Sequence, residues 1–245
     1  LTNLLAEQRM GISSPIAFAS VMGASAIVCI VVPSVVLFVV YRKDLLRRYR
    51  PQRTSSPNDR MLFVVSAAVV VALIPLLVSG MPVWMPTTVA ALVLLVLFAF
   101  RRRSALSVSL LPWQLVLLAS GLFIVIEAGH SIGLTDALAN VAGTGDGFPQ
   151  LLQLAGLGVL GANAVNNLPA YLALEPVAGS DLRFAALLIG VNAGALITPW
   201  ASLATLLWHS RLAALDVEIS WWRYAALGVL VVPLTVVPAV WVLSW

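Results

Sequence analysis

Residues 161–169 read GANAVNNLP and place three asparagines and a proline inside an apolar run that extends from Leu151 to Leu174. In a lipid bilayer each unpaired amide or peptide group costs roughly several kcal/mol, because no water is available to bond it. Pro169 lacks an amide hydrogen and disfavours a helical conformation in the residue before it. The stretch therefore predicts a helix that is interrupted at membrane depth.

A second interruption is predicted at residues 192–205, which read NAGALITPWASLAT and contain Gly194 and Pro199. Two apolar segments that are broken by Gly or Pro and carry polar side chains are typical of the binding site of a secondary transporter. The alternative is that these polar residues only join neighbouring helices through hydrogen bonds.

The ends of broken helices leave backbone N–H and C=O groups unpaired, and these groups can bind a polar solute or an ion together with nearby side chains. The predicted substrate-binding residues of the two breaks are Asn166, Asn167, Asn192, Thr198, Ser202 and Thr205. The residues predicted to shape the breaks are Pro169, Gly194 and Pro199, and Trp200 is interpreted as a packing or gating wall.

The composition predicts an all-α polytopic membrane protein. Apolar residues make up 61% of the 245 residues and charged residues 10%, and the mean hydropathy is +1.01, which a soluble domain does not need. The first residues lack the pattern of a removable signal peptide, and the missing initiator methionine suggests a fragment. Cys29 is the only cysteine, so the chain has neither an internal disulfide nor a thiolate metal cage.

The basic residues predict the orientation. Apolar spans are expected at 15–41, 61–79, 87–100, 112–128 and 224–243, and ten of the fourteen basic residues lie at 42–60 and 101–103. The positive-inside rule places both of these loops in the cytoplasm. The net charge of +4 therefore reflects membrane topology, and neither nucleic acid nor a cofactor is expected. Residues 156–161 match G-x-G-x-x-G without a preceding strand, and no P-loop is present, so the chain is not predicted to be an enzyme.

Residues of about 151–177 are predicted to form a re-entrant hairpin, and residues of about 184–208 a broken helix that runs inward. The motif LTNLLAEQR at 1–9 is similar to LATLLWHSR at 203–211, and the predicted orientations of the two copies are opposite. Residues 1–60 are therefore interpreted as the tail of a first repeat and residues 61–245 as a second, inverted repeat. Asn3, in the first copy, joins the predicted substrate-binding residues.

The run ITPWASLATLLW at 197–208 and the motif NNLP at 166–169 resemble the arsenite-efflux permeases of the ArsB type, as do LTNLL at 1–5 and ISW at 219–221. This family belongs to an ion-transporter superfamily that includes citrate carriers and sodium/proton antiporters. Ala201 departs from the family pattern, which usually has glycine there. The resemblance implies export of arsenite or antimonite across the inner (plasma) membrane, driven by protons and in some systems by an associated ATPase subunit. It also implies that an N-terminal half precedes Leu1.

Several alternatives stay open at this point. The chain could be another member of the superfamily, such as a sodium/proton antiporter or a citrate carrier, or a membrane scaffold that does not transport. Neither 156–174 nor 184–208 contains a charged residue. A citrate-like anion held there would be balanced only by helix N-termini, each worth roughly 0.3–2 kcal/mol, whereas neutral arsenous acid needs no balancing charge. Glu127, Glu175 and Asp181 are the candidates for the titrating group, and the sequence does not choose among them.

Overall fold

The computed structural model describes residues 2–12, 14–48, 59–107, 113–213 and 215–245, which contain eleven α-helices and no β-strand. The helices are α1 (Thr2–Arg9), α2 (Pro15–Leu45), α3 (Arg60–Val78), α4 (Trp84–Arg101), α5 (Trp113–Ser131), α6 (Leu134–Ala142), α7 (Phe148–Ala164), α8 (Asn167–Leu174), α9 (Asp181–Ala193), α10 (Leu203–Ala213) and α11 (Trp221–Leu243). Short 3₁₀ turns follow α4, α8 and the end of α9.

Four of these helices, α2, α3, α4 and α11, are long and apolar enough to cross a membrane. Helices α5 and α6 make a fifth candidate if they count as one span, although they meet at an angle of 83°. The predicted all-α polytopic fold is therefore confirmed. The bounds differ slightly from the prediction, since α2 continues to Leu45 and α4 begins at Trp84.

Helices α7 and α9 form the centre of the bundle and run parallel to each other. Ala155 lies against Gly190, and Val159 lies against Gly194, so the contacting positions advance together along both helices. A side chain at Gly190 would collide with the backbone of Ala155. Glycine therefore permits this close approach of two helices, as small residues do in membrane proteins.

Because α7 and α9 are parallel, the intervening helix α8 must return in the opposite direction. Gly161 of α7 packs against Ala170 of α8 across the turn. At the other end of this hairpin, Arg183 lies in the first turn of α9, and its side chain is buried. It donates hydrogen bonds to backbone carbonyls of the segment after α6 and of the segment after α8. These carbonyls belong to Ala142, Gly143, Gly145, Val177 and Ala178.

Helices α11 and α2 pack against this centre and run antiparallel to each other. The hydroxyl of Ser25 in α2 donates a hydrogen bond of 2.9 Å to the carbonyl of Ala239 in α11. Gly228 of α11 lies against the backbone of Leu196 and Ile197, within the second break. The α11 helix is thus in contact with the segment where the functional site is expected.

Many apolar side chains of α2 to α5 face outward. Val71 of α3 and Ile124 of α5 are 64% and 71% exposed, and Phe63 of α3 and Leu92 of α4 are also exposed. In water such a surface would be costly, whereas hydrocarbon accepts it without penalty. This pattern agrees with helices that contact lipid or further protein within the bilayer.

The contact between α7 and α9 generates a prediction for stability. Replacing Gly190 with alanine should lower the free energy of unfolding by about 1–3 kcal/mol, because the added methyl group overpacks the contact with Ala155. The matched control is Gly156→Ala in α7, where an added methyl group meets no atom within 4 Å. Thermal unfolding of the purified variants in detergent measures both effects, and equal melting temperatures would contradict the packing.

Candidate substrate site at the two helix breaks

The first break lies at Val165 and Asn166, between α7 and α8. Asn166 is buried and adopts φ 145° and ψ 156°, a backbone conformation that L-residues rarely take. Its side-chain oxygen accepts a hydrogen bond of 3.4 Å from the amide of Leu168 and caps α8. Its side-chain nitrogen donates to the carbonyl of Trp200 at 2.8 Å. Asn166 therefore joins the first break to the second.

Pro169 lies in the first turn of α8, directly after the first break. It is the third residue of α8, and the interruption lies upstream of it. The first N–H groups of a helix have no acceptor within the helix, so a proline in the first turn removes no hydrogen bond. Pro169 is therefore compatible with the start of α8, and the turn before this helix is formed at Asn166.

The second break extends from Gly194, where α9 ends, to Ser202, just before α10 begins. A side chain at Gly194 would collide with the carbonyl oxygen of Gly190 and with Val159. Pro199 begins the 3₁₀ turn Pro199–Ala201 within this segment. Both residues thus lie where the sequence predicts a break, and glycine is required by the contact with α7.

The side chain of Asn163, in the last turn of α7, connects the two breaks. Its nitrogen donates to the carbonyls of Val159 and Gly194, both at 2.8 Å. Its oxygen accepts from the amides of Ile197 at 3.0 Å and Thr198 at 2.9 Å. An asparagine side chain has two donor hydrogens and two acceptor lone pairs. All four are used here, so Asn163 is a structural cross-link with no capacity left for a cargo.

The backbone of Asn163 adds to this connection. Its carbonyl oxygen accepts hydrogen bonds from the hydroxyl of Thr198 at 2.8 Å and from the indole nitrogen of Trp200 at 2.9 Å. Trp200 therefore connects the two breaks in two ways. Its indole donates to Asn163, and its carbonyl accepts from the side chain of Asn166. These bonds give Trp200 a specific polar role, and its interpretation as a packing or gating wall stays a prediction.

The structure divides the predicted binding residues into three groups. Asn166 and Thr198 belong to the cross-link around Asn163. Ser202 and Thr205 lie at the start of α10, where the Ser202 hydroxyl accepts from the amide of Ala204 at 3.2 Å. The Thr205 hydroxyl is 3.5 Å from that of Tyr224. These four side chains already have partners.

The third group retains hydrogen-bonding capacity. Asn192 is exposed at the end of α9, where its amide nitrogen donates to Asn3 at 2.8 Å and its oxygen accepts from the Thr2 hydroxyl at 2.9 Å. Asn167 is half-buried, and its side chain has no hydrogen bond to any of the described residues. Asn3, Asn167 and Asn192 are therefore the predicted binding residues that could still bond a polar solute.

The sequence analysis missed the role of Asn163, although it lies within the quoted motif. The available signal was its position, since Asn163 is a polar residue within an apolar run and precedes Asn166 and Asn167 by three and four residues. Spacing along α7 does not reveal which residues of α9 and the second break it will meet. That information lies in the parallel packing of α7 and α9.

Comparison with known proteins agrees with this architecture. Residues 1–190 match the citrate transporter family, and the chain belongs to that family. The chain is 29% identical over 237 residues to the arsenical pump membrane protein of Escherichia coli K12, covering 87% of this chain and 54% of that protein. The protein of the same name in Yersinia enterocolitica is 28% identical with the same coverage. No solved structure matches the chain.

The chain thus spans about half the length of the curated relatives it matches. Its predicted kinship with arsenical pump permeases is confirmed at the level of the family. The membrane-spanning helices make it a multi-pass membrane protein, and the bacterial relatives are consistent with the predicted inner-membrane location.

The cross-link generates a prediction that separates Asn163 from its neighbour Asn167. Asn163→Asp replaces a donor nitrogen by an anionic oxygen that faces the carbonyls of Val159 and Gly194. It should destabilise the protein by about 3 kcal/mol or more, because two buried acceptors then face a charge. Asn167→Asp is the matched control and should change the melting temperature little. Thermal unfolding in detergent compares the two, and similar losses for both variants would contradict the cross-link.

Proposed function

We propose that this chain is part of a secondary transporter that exports arsenite or antimonite from the cell in exchange for protons. The family match and the arsenical pump relatives support a permease of the ion-transporter type. The observation that carries the choice of cargo is the chemistry of the two breaks. Their polar groups are amides, hydroxyls and backbone groups, and no charged residue occurs in 156–174 or 184–208.

An uncharged lining suits an uncharged cargo. Arsenous acid is a neutral trihydroxy species at physiological pH, and its hydroxyl groups both donate and accept hydrogen bonds. Asparagine amides offer the same two capacities. In this proposal Asn167, Asn192 and Asn3 contact the cargo, while Asn166 and Thr198 keep the two breaks in position. Ser202 and Thr205 lie at the start of α10, on the path towards the cytoplasm.

The directions of α1 and α10 support an inverted arrangement of the two repeats. Helix α1 begins beside Asn192 at the second break and ends at Arg9, which pairs with Glu175 beyond α8. Helix α10 begins at the same break and continues the direction of α9 towards the start of α11. Two helices that leave one level in opposite directions are what inverted repeats with broken helices produce.

The proposal includes a further segment that completes the site. The chain spans about half of its curated relatives, and Asn3 and Asn192 are exposed at the surface of the described part. A first repeat packed on this surface would enclose the cargo from the other side. Association with a separate ATPase subunit is the part of the proposal that rests on the family resemblance alone.

A second candidate function is transport of citrate or a related carboxylate, possible because the matching family is described as citrate transporters. A trianion at the breaks would need balancing charge from co-bound cations, since each helix N-terminus contributes only about 0.3–2 kcal/mol. The two candidates therefore differ in their requirement for sodium or another cation at the site.

Transport by the full-length gene product in everted membrane vesicles tests the proposal. With a proton gradient imposed, arsenite and antimonite should accumulate, and citrate and sodium should not. Asn167→Ala should reduce accumulation at least about tenfold, which corresponds to losing about 1.4 kcal/mol of binding. Asn163 is unsuitable as a control because it supports the fold, whereas Gln150→Ala changes an amide far from the breaks and should leave transport intact.

Uptake of citrate or sodium without any response to arsenite would reject the arsenite proposal in favour of the second candidate. Unchanged arsenite uptake by Asn167→Ala would remove that residue from the site. A chain that transports none of these solutes, in vesicles that hold a proton gradient, would instead favour the scaffold interpretation.

A further inference from the structure

One face of α8 carries polar side chains along its whole length. Asn167, Tyr171 and Glu175 are spaced four residues apart, so they lie above one another on the same face. Asn167 is next to the first break. Glu175, at the other end, begins the 3₁₀ turn that follows α8. This face therefore leads from the break to the end of the bundle where Arg183 lies.

Two of these side chains are unusual for the interior of a membrane protein. Tyr171 is fully buried, and its hydroxyl has no hydrogen-bond partner among the described residues. Only 8% of the surface of Glu175 is exposed, and its carboxylate pairs with Arg9. Tyr171 lies one helical turn before Glu175, on the same face of the chain. A buried hydroxyl without a partner is costly, and such groups often mark function.

A cavity of about 670 Å³ lies beside this pair, between α1, α5 and the end of α8. Its polar lining comprises Arg9, Glu127, His130 and Glu175. Both ring nitrogens of His130 are already engaged, by the Thr135 hydroxyl at 2.7 Å and the Leu172 carbonyl at 3.2 Å. Glu127 is exposed at the surface of the described residues, whereas Glu175 is buried. Glu175 is thus the lining group whose charge depends on a protein partner.

The two partners of this ion pair differ in exposure. The side chain of Arg9 is 66% exposed, whereas that of Glu175 is 9% exposed. If α1 moves away, Arg9 keeps its charge in water. The carboxylate would remain buried and unpaired, which is strongly unfavourable. A buried, unpaired carboxylate therefore tends to bind a proton, because the neutral form costs less to bury.

We propose that Glu175 is the proton-carrying group of the transporter and exchanges Arg9 for a proton during each cycle. This inference rests on the proposed function and names its coupling site. A proton from water in the cavity binds a carboxylate oxygen of Glu175, and the guanidinium of Arg9 moves into that water with its charge unchanged. Tyr171 provides the hydrogen-bond partner of the neutral carboxyl group on the side of the break.

Helix α1 links this exchange to the cargo. At its first turn, Thr2 and Asn3 bond Asn192 at the second break, and at its last turn Arg9 pairs with Glu175. Binding of a cargo at Asn3 and Asn192 competes with these bonds and alters the position of α1. A ligand that favours one position of α1 necessarily changes the affinity of Glu175 for protons, and the converse also holds.

The charged and titratable groups around Glu175 are few. Arg9 belongs to α1, Glu127 and His130 belong to α5, and Tyr171 belongs to α8 itself. Arg183 of α9 donates to the carbonyls of Val177 and Ala178, just after Glu175. Among the residues that line the cavity, α6 contributes none. Substitution of Glu175 therefore removes one titratable group and leaves the other named charged groups in place.

The experiment compares two modes of transport by the full-length gene product in proteoliposomes. Exchange of labelled for unlabelled arsenite at equal concentrations requires no net proton movement, whereas accumulation driven by a pH gradient does. Glu175→Gln mimics the neutral carboxyl group and should preserve exchange while reducing proton-driven accumulation at least about tenfold. Glu127→Gln is the matched control from the same cavity and should preserve both modes.

A second variant addresses the pairing. Arg9→Gln removes the cation that competes with the proton, so the midpoint of the pH dependence of proton-driven transport should move to higher pH. Retention of proton-driven accumulation by Glu175→Gln would overturn the inference, as would an equal loss of both modes, which indicates a structural role. Absence of arsenite exchange in the wild-type protein would instead reject the proposed function and the inference together.

Discussion

The breaks that follow α7 and α9 leave backbone groups that must find partners within the protein, and the side chain of Asn163 supplies the partners for three groups of the second break. The arrangement depends on the parallel packing of α7 and α9, which brings the end of one helix beside the end of the other. Gly190 and Gly194 permit that approach. Once the two breaks are joined, Asn166 and Trp200 complete the connection. The side chains of Asn3, Asn167 and Asn192 lie at the edge of this connected region.

The distribution of charge follows from the same constraint. The centre of the bundle contains amides and hydroxyls, and the ionised groups of the described residues that contact it lie near the ends of α8 and α9. Arg183 joins the loops at one end through carbonyl groups, and Arg9 reaches the buried Glu175 from α1. An uncharged centre favours an uncharged cargo, and a titratable group outside that centre can still control transport if a mobile element connects the two.

The sequence was sufficient for the all-α polytopic fold class, because hydropathy acts locally. The predicted spans agree with the observed helices to within a few residues, and the re-entrant hairpin stays a prediction. Pro169 lies in the first turn of α8, and its part in shaping the break stays a prediction. Asn163 was missed as the cross-link because its partners are more than thirty residues away and depend on the register of α7 against α9. The inverted repeat and the predicted substrate contacts stay predictions.

Amide hydrogen exchange in the break tests the central claim most directly. Ile197 and Thr198 lie outside any helix, yet their amides donate to the side chain of Asn163. Local hydrogen bonds that persist protect amides from exchange. In the purified full-length protein, these two amides should exchange as slowly as those of α9, and Asn163→Ala should make them exchange faster while α11 is unaffected. Rapid exchange of both amides in the wild-type protein, comparable to that of residues 80–83, would contradict the cross-link on which this account is built.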